Sequence, residues 1–235
     1  MDDTNWVDTV DEEETLSTKD ETIEVPQTPP VAALVMVETA FLASAASLIW
    51  LINYYFPLGP VLQVLFPIPI ALVYLRRGSR AAWMGVLISG LLLAVLMGPT
   101  RSIMYTIPYA VMGVQLGMIW KRGGSWYFSI LLGTILGTFG SFFRIVLISI
   151  FLGENFWLYA MNQITSWLNW LFIQLGILAQ PDIGLIQAIA FALLVFNSLI
   201  YLFTVHIVAL LIFDRLKNPI PRPPHWIQVI FEYDY

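Results

Sequence analysis

The chain has 235 residues, of which 58% are hydrophobic and 11% are charged, and its mean hydropathy is +0.76. Because a soluble domain is about 45–50% apolar and about 25% charged, this composition excludes an ordinary soluble globular protein. The absence of cysteine excludes disulfides, thiolate metal sites and cysteine nucleophiles. The net charge of −5 combines two unlike parts, since ten of the sixteen acidic residues lie in residues 1–30 and the rest of the chain is net positive.

Residues 1–30 contain these acids together with threonines, one serine and three prolines. The segment has too little apolar surface to offset the entropy cost of ordering, so we predict a disordered cytoplasmic tail. A tail that docks a partner is the alternative. The acidic start is the reverse of a secretory signal, which needs a basic region before its apolar run.

Six apolar stretches follow, each near the length of about 20 residues that crosses the hydrocarbon core of a bilayer. They are about Ala32–Tyr55, Val61–Leu75, Ala81–Met97, Ser102–Trp120, Trp126–Leu152 and Ile183–Phe213. The second is short and contains Pro67 and Pro69, so we expect its first part to be non-helical or re-entrant, where protein or water covers the backbone. The pattern predicts an all-α integral membrane protein whose six-span transmembrane domain covers residues 31–214.

A segment rich in tryptophan, residues 155–181, separates the fifth and sixth spans. Its aromatic residues alternate with amides and hydroxyls such as Asn162 and Asn169, a mixture unlike that of a lipid-facing span. We predict a helix that lies in the outer interface or dips partly into the bilayer. A seventh full crossing is the rival interpretation, and the basic residues argue against it.

Basic residues fall almost entirely on one side of a six-span topology. The inner loops and tail contain Arg76, Arg77, Arg80, Lys121, Arg122, Arg215, Lys217 and Arg222, and the outer side keeps Arg101. This distribution obeys the positive-inside rule, so we predict that both termini are cytoplasmic and that residues 215–235 form a cytoplasmic tail. The pattern suits the plasma membrane or a thylakoid membrane. A seventh crossing would carry the last three of these bases outside.

Small residues are spaced four apart on two spans, at Gly113 and Gly117 and at Gly133 and Gly137. Such pairs let helices approach closely, which matters because lipid offers no hydrophobic drive for helix association. We predict that these glycines pack inside the bundle. Docking of another subunit is the alternative.

Three polar residues are expected at a similar depth near the inner boundary. Glu38, Gln115 and His206 each lie about 8–11 Å from it, at about 1.5 Å per helical residue. A charge in the bilayer costs about 2.5–3.5 kcal/mol on insertion scales, so we expect these groups to face the bundle. Glu38 and His206 are candidates for a pair with Gln115 as a third member, either as a packing network or as a proton- or ion-coupled site.

Arg144 is the charged residue placed deepest on the outer side, about 12 Å below the end of the fifth span. Its guanidinium suits a carboxylate or phosphate group in a pocket open to the outer face. The residues expected to line that pocket with it are Arg101, Tyr105, Gln187, Asn197 and the amides of the tryptophan-rich segment, Asn169 among them. The alternative is that Arg144 extends outward to helix-end carbonyls.

Motifs for hydrolysis and nucleotide binding are missing. The sequence has no H-E-x-x-H, no Walker A loop and no G-x-S-x-G, and its second histidine, His225, lies in the inner tail. We therefore predict that the chain is not an enzyme and that it has no metal, no cofactor and no nucleic-acid partner. Without an ATP-binding motif, active transport would need a gradient or a separate ATPase.

Two short motifs carry a family resemblance. Phe66-Pro67-Ile68-Pro69 enters the second span and Tyr74-Leu75-Arg76-Arg77-Gly78 leaves it, ahead of a glycine-rich hairpin. With the six-span layout over about residues 32–213, this resembles the bacterial membrane family called DUF2232 or YybS-like, which also has cyanobacterial members. That family is similar to the substrate-capture (S) components of energy-coupling-factor transporters.

The resemblance implies a compact six-helix bundle with a pocket near the outer face, a partner transmembrane coupling subunit and cytoplasmic ATPases. Members of the S-component group often dock through small residues four apart on the first span; here that spacing gives Ala40 with Ser44 and Ala43 with Ser47. The leading hypothesis is binding and uptake of a small solute whose anionic group Arg144 anchors. The alternative is a non-transporting membrane scaffold that assembles a larger complex.

Overall fold

The computed structural model describes residues 30–56, 59–176, 182–218 and 220–224. Helices account for nearly all of them, and these residues contain no strand. The elements are α1 Pro30–Tyr55, α2 Pro60–Val64, α3 Ile68–Arg77, α4 Ser79–Met97, α5 Pro99–Tyr105, a π-helical turn Thr106–Ala110, α6 Val111–Lys121, α7 Trp126–Leu152, α8 Phe156–Gln174 and α9 Ile183–Arg215. The predictions for the acidic tail and for the last residues of the chain lie outside the described residues.

Among the described residues, five stretches are long and apolar enough to cross a membrane: α1, α4, the continuous run from α5 through the π turn to α6, α7 and α9. The second predicted span is not one of them, because it consists of two short helices, α2 and α3, with a turn at residues 65–67. Pro67 and Pro69 explain the break. Proline has no N–H for the helix ladder and is tolerated only near a helix start, where Pro69 lies in α3.

The short helix α3 lies at the centre of the bundle. It packs against α1, α4, α6 and α9, and its residues from Ile68 to Tyr74 are all buried. α3 and α6 run parallel, since Gly113 contacts Ile70 and Gly117, one turn later, contacts Tyr74. The carboxyl end of α3 therefore lies beside that of α6, where Lys121 comes within 3.7 Å of a Cβ built on Gly78.

The predicted packing glycines lie at helix contacts inside the bundle. A Cβ at Gly113 would lie 2.6 Å from the carbonyl oxygen of Pro67, and one at Gly133 would lie 2.6 Å from Leu202 Cδ1. Gly117 meets α3 in the same way, and Gly137 lies against α6 and α9. These faces are occupied by the protein's own helices, so they are not free for another subunit.

Helices α7 and α9 are antiparallel. Ser129 meets His206, Gly133 meets Leu202 and Gly137 meets Ser198, so each step of four along α7 matches a step of four back along α9. The end of α7 and the start of α9 consequently lie at the same end of the bundle. α8 lies between them in the chain and contacts both.

Polar side chains fix the starts of the last three helices. Ser125 accepts a hydrogen bond from Phe128 N at α7, Asn155 from Leu158 N at α8, and Asp182 from Gly184 N at α9. Each satisfies a backbone N–H that the helix itself leaves unpaired. α8 has no buried residue, so it lies on the periphery of the bundle.

Candidate functional site

A cavity of about 660 Å³ lies among α1, α2, the start of α5, the π turn and α7. We call it the arginine cavity because Arg101 of α5 and Arg144 of α7 both border it. Its other polar side chains include Asn53, Gln63 and Thr100. A volume of this size suits a small molecule, since ligand pockets usually enclose about 300–1,000 Å³.

The two arginines of this cavity have no carboxylate partner among the described residues. Arg144 is exposed on α7 and its guanidinium faces the Tyr109 hydroxyl. The Arg101 guanidinium lies 4.2 Å from the centre of the Tyr54 ring, a cation–π contact. Neither contact neutralises a positive charge, so both charges remain at the border of the cavity.

Aromatic rings form one wall of the arginine cavity. The Trp50 ring lies 4.9 Å from Phe66 and 5.5 Å from Tyr109, and Phe66 and Tyr109 are 5.0 Å apart. These tilted and edge-to-face contacts are favourable for aromatic pairs. The wall is therefore a preorganised apolar surface beside two positive charges.

The π turn positions Tyr109 in that wall. Pro108 cannot donate a backbone hydrogen bond, and a π-helical turn accommodates such a break within a longer helix. Pro108 packs under Gly140 of α7, where an added Cβ would lie 2.7 Å from Pro108 Cβ. The close approach holds the turn against α7, so Tyr109 and Arg144 face each other.

A second cavity of about 460 Å³, the side cavity, lies among α2, the π turn, α7 and α9. It shares Gln63, Tyr109 and Arg144 with the arginine cavity, and Asn197 also borders it. Tyr201 closes part of its wall by donating a hydrogen bond to the Gln63 carbonyl at 3.0 Å. Arg144 and Tyr109 thus lie at the junction of two cavities.

The family model for DUF2232, a predicted membrane protein family, matches residues 44–231. The chain belongs to this family. The match covers both cavities and confirms the resemblance that the motifs at Phe66–Pro69 and Tyr74–Gly78 indicated. No curated protein and no solved structure matches the chain.

The two motifs of this DUF2232 protein lie at the start and at the end of helix α3. The first contains the break between α2 and α3, and its Phe66 lines the arginine cavity. The second ends α3 with Arg76 and Arg77, which bind Glu38 of α1 at 2.7 and 2.5 Å. The arginines fasten the carboxyl end of α3 to the first helix.

The predicted Arg144 pocket is assembled only in part. Arg101 joins Arg144 in the arginine cavity and Asn197 joins it in the side cavity. Tyr105 borders neither, because it is fully buried in the core around Trp50. Gln187 faces a separate apolar groove between α7, α8 and α9, and Asn169 is exposed on α8. Depth was predicted from sequence position, but rotation about each helix axis was not.

Several residues of the arginine cavity were not assigned to it from the sequence, among them Trp50, Asn53, Gln63 and Tyr109. The available signal was the spacing of Trp50 and Asn53, since residues three apart share one face of a helix. No comparable pattern marks Tyr109.

The predicted cluster lies at the end of the bundle where α3 and α6 finish, which we call the basic end, and its members are divided between two sites. His206 Nδ1 lies 2.8 Å from the Leu202 carbonyl, which can only accept, so Nδ1 carries a proton and Nε2 of the neutral ring accepts from Ser129 Oγ at 2.9 Å. Gln115 donates to the Ser129 carbonyl at 3.4 Å. Glu38 does not pair with His206, because Arg76 and Arg77 bind its carboxylate.

His206 is enclosed by aromatic rings. Trp120 and Trp126 each lie 5.3 Å from its ring, and His206 is fully buried. Trp126 also donates to the Pro221 carbonyl at 2.7 Å, so residues after α9 return over this end of the bundle. The described residues contain no group of three or more His, Asp or Glu arranged to hold a metal ion.

Proposed function

We propose that this DUF2232 protein binds a small anionic solute in the arginine cavity and contributes to its uptake, in the manner of an S component. The observation that carries the proposal is the pair Arg101 and Arg144, which border one cavity without a carboxylate partner among the described residues. Guanidinium groups suit carboxylates and phosphates because they offer paired N–H donors in one plane. The proposal includes no catalytic step.

The membrane topology that we propose has six crossings, with α2 and α3 together forming a broken second crossing and both termini in the cytoplasm. The parallel arrangement of α3 and α6 supports it, as does the accumulation of basic residues at the end where α3 and α6 finish. In this topology the arginine cavity opens toward the outside. Non-helical backbone at membrane depth is tolerated there because α3 is buried among four helices.

Site-specific labelling tests this topology, and the chain is suited to it because it has no cysteine. Phe56→Cys and Ser79→Cys, both at exposed positions, introduce single thiols before α2 and after α3. We expect a membrane-impermeant maleimide to label Phe56→Cys in intact cells and Ser79→Cys only after the membrane is opened. Labelling of both positions from the same side would contradict a crossing by α2 and α3.

A coupling subunit and separate ATPases belong to the proposal, since the sequence contains no nucleotide-binding motif. Of the two small-residue pairs on α1, Ala43 and Ser47 are buried, and Ser47 donates to the Ser89 carbonyl of α4 at 3.1 Å. Ala40 and Ser44 are exposed, so this pair remains accessible to a partner helix. Close helix approach at small residues is common in membranes.

Native mass spectrometry of protein extracted gently from its own membrane tests solute binding. We expect a small anion to accompany the wild type and to be absent from Arg144→Ala. Arg80→Ala is the matched control, because Arg80 is an exposed arginine on the start of α4, away from both cavities. Loss of the anion from both variants, or its retention by Arg144→Ala, would contradict the assignment.

A scaffold for a larger membrane complex is the second candidate function. α8 favours it, because this helix of 19 residues has no buried residue and exposes Trp167 and Trp170 beside amide side chains. Such a surface suits the membrane interface or another protein. If the same extraction yields a defined set of large partners without an ATPase and without an anion, the scaffold replaces the solute-binding proposal.

A further inference from the structure

Positive charge gathers at the basic end of the bundle, and the most acidic part of the chain is joined to the same end. We infer that the acidic segment, residues 1–29, binds a patch of exposed bases at the basic end and serves as its counter-charge. The inference concerns the end of the bundle opposite the arginine cavity and does not rest on the proposed solute-binding function.

Three exposed bases, Arg80, Lys121 and Arg122, form the surface that we call the basic patch. Lys121 Nζ lies 3.7 Å from a Cβ built on Gly78, the residue that precedes α4, and Arg80 lies in the first turn of α4. The end of α6 and the start of α4 therefore present their charges side by side. None of the three bases forms an ion pair with a described carboxylate, so their fields add and attract a negative partner.

The acids in the described residues do not neutralise the basic patch. Glu38 is bound by the two arginines at the end of α3. Glu154 and Asp182 precede α8 and α9, at the opposite end of the bundle. Asp214 is near the end of α9 and forms no ion pair with any of the three bases. Any fixed counter-charge therefore comes from another molecule or from the rest of the chain.

The acidic segment joins α1 beside this patch. α1 starts at the basic end, because Glu38 in its third turn binds the end of α3, whereas Trp50, further along, borders the arginine cavity. α4 also starts there, and Thr39 Cγ2 of α1 lies 3.7 Å from a Cβ built on Gly85 of α4. Because the two helices meet at this level and run in the same direction, the acidic segment is joined to the bundle near the start of α4.

Residues 1–29 supply more than the missing charge. They contain ten acidic residues and one base, Lys19. Glu24 is the acid nearest to α1, and the chain from it to Pro30 spans up to about 20 Å when extended, at about 3.3 Å per residue. The acids before Glu24 have a longer reach, so the segment is long enough to cover the patch. Joining both partners in one chain also raises their effective concentration, to about the millimolar range for short linkers.

An anionic lipid headgroup is the competing occupant, since basic residues at a cytoplasmic boundary attract acidic lipids. The acidic segment is the better match for two reasons. A lipid presents one phosphate at a time, whereas the segment presents ten carboxylates from one tether. The tether also starts beside the patch, so the segment does not have to be recruited from the bilayer.

Zero-length cross-linking tests the contact, because the described residues contain only two lysines, Lys121 and Lys217. A carbodiimide joins a carboxylate directly to a lysine amine that touches it. We would treat purified full-length protein in phosphatidylcholine nanodiscs and identify the joined peptides by mass spectrometry. We expect Lys121 to be joined to acids of residues 1–29, with coupling within the segment at Lys19 as the reference for reagent activity. The yield at Lys121 should fall at least about fivefold when salt rises from about 0.05 M to about 0.5 M, since salt screens exposed charges.

Paired substitutions separate attraction from mere proximity. Arg80→Gln with Arg122→Gln removes two charges of the basic patch and leaves the Lys121 amine as the reporter. We expect the yield at Lys121 to fall at least about fivefold, because the attraction of the patch weakens. Arg101→Gln with Arg144→Gln is the matched control, since it removes the same charge at the opposite end of the bundle. It should leave the yield unchanged, whatever its effect on solute binding.

Two results would overturn the inference. If Lys121 is not joined to the acidic segment, or is joined equally at both salt concentrations, the segment does not bind the patch through charge. If joined peptides form in phosphatidylcholine but not in nanodiscs that contain phosphatidylglycerol, anionic lipid is the occupant instead. The salt series on the wild type decides the matter even if a variant does not fold, and neither result bears on the arginine cavity.

Discussion

The basic end of the bundle and the end that holds the cavities use the same residue types in opposite ways. At the basic end, Arg76 and Arg77 share the Glu38 carboxylate, and His206 exchanges hydrogen bonds with Ser129 and Leu202 inside an aromatic enclosure. At the other end, Arg101 and Arg144 border an open volume without a carboxylate partner among the described residues.

This difference distinguishes polar groups whose partners belong to the fold from polar groups that remain available to a ligand. A polar group in a low-dielectric interior is stable when its partners are built in, and it is costly when they are missing. The paired groups of the basic end therefore fasten helices together. The unpaired groups at the opposite end suit a ligand that arrives later. Variants at the two ends should consequently differ in what they change, stability at one and binding at the other.

The largest loss of stability is expected from Gly113→Ala at the contact between α3 and α6. The new Cβ would lie 2.6 Å from the Pro67 carbonyl oxygen and 2.9 Å from Ile70 Cβ, so one of the helices must shift. We expect a loss of about 3 kcal/mol in the free energy of unfolding. Tryptophan fluorescence during denaturation in mixed micelles measures it.

Gly85→Ala is the matched control for that substitution. Gly85 is also a buried helical glycine, but an added Cβ there comes no closer than 3.4 Å to Ile70 Cδ1. Alanine should be neutral or should stabilise by about 0.5–1 kcal/mol through helix propensity. Equal effects of the two substitutions would contradict the close packing of α3 against α6.

Ser129→Ala tests whether the His206 cluster is structural. The change leaves His206 Nε2 unpaired in a fully buried site, which we expect to cost about 1–3 kcal/mol in unfolding free energy. Anion binding should be unchanged. Ser166→Ala on exposed α8, whose hydroxyl bonds within its own helix, should change stability by less than about 0.5 kcal/mol.

A different outcome would restore the predicted proton- or ion-coupled role of this cluster. If Ser129→Ala leaves stability intact but abolishes solute uptake by vesicles, the histidine belongs to the working site. The contrast between the two ends would then not hold, because a buried histidine whose two ring nitrogens both have partners would take part in uptake.

Glu38→Gln is expected to have a smaller effect. The carboxylate and its arginine partners are 16–31% exposed, so solvent screens the ion pairs and their joint contribution is about 1 kcal/mol. A double-mutant cycle with Arg77→Gln isolates the coupling, because each single change removes the same contact. Coupling indistinguishable from zero would mean that α3 is held to α1 by packing alone.

The sequence was sufficient for the positions of the long helices but not for their rotation. Hydropathy placed the boundaries at Tyr55, Met97, Trp126, Leu152 and Ile183 where the helices begin or end, because a span is defined by its length in an apolar medium. The prolines indicated that the second predicted span is not one continuous helix, although its first part, expected to be non-helical or re-entrant, contains helix α2.

Rotation about the helix axes could not be predicted, for a physical reason. A helix in a soluble protein reveals its buried face by an apolar stripe, whereas residues that face lipid are as apolar as those that face the core. Glu38, Tyr105 and Gln187 were therefore assigned a depth without a direction. The partners of Glu38 lie on α3, and Gln187 faces the apolar groove instead of Arg144.

Arg144→Gln should have the smallest effect on stability and the most specific effect on binding. The side chain is exposed and has no carboxylate partner among the described residues, so we expect unfolding free energy to change by less than about 0.5 kcal/mol. Anion affinity should fall at least about tenfold, since the guanidinium supplies charge-assisted hydrogen bonds that an amide does not. Calorimetric titration with a small carboxylate, beside denaturation of the same sample, measures both. A variant that loses stability but keeps its anion would show that Arg144 stabilises the fold, and Arg101 would then be the residue that anchors the anion. The two ends of the bundle would in that case differ only in the exposure of their arginines.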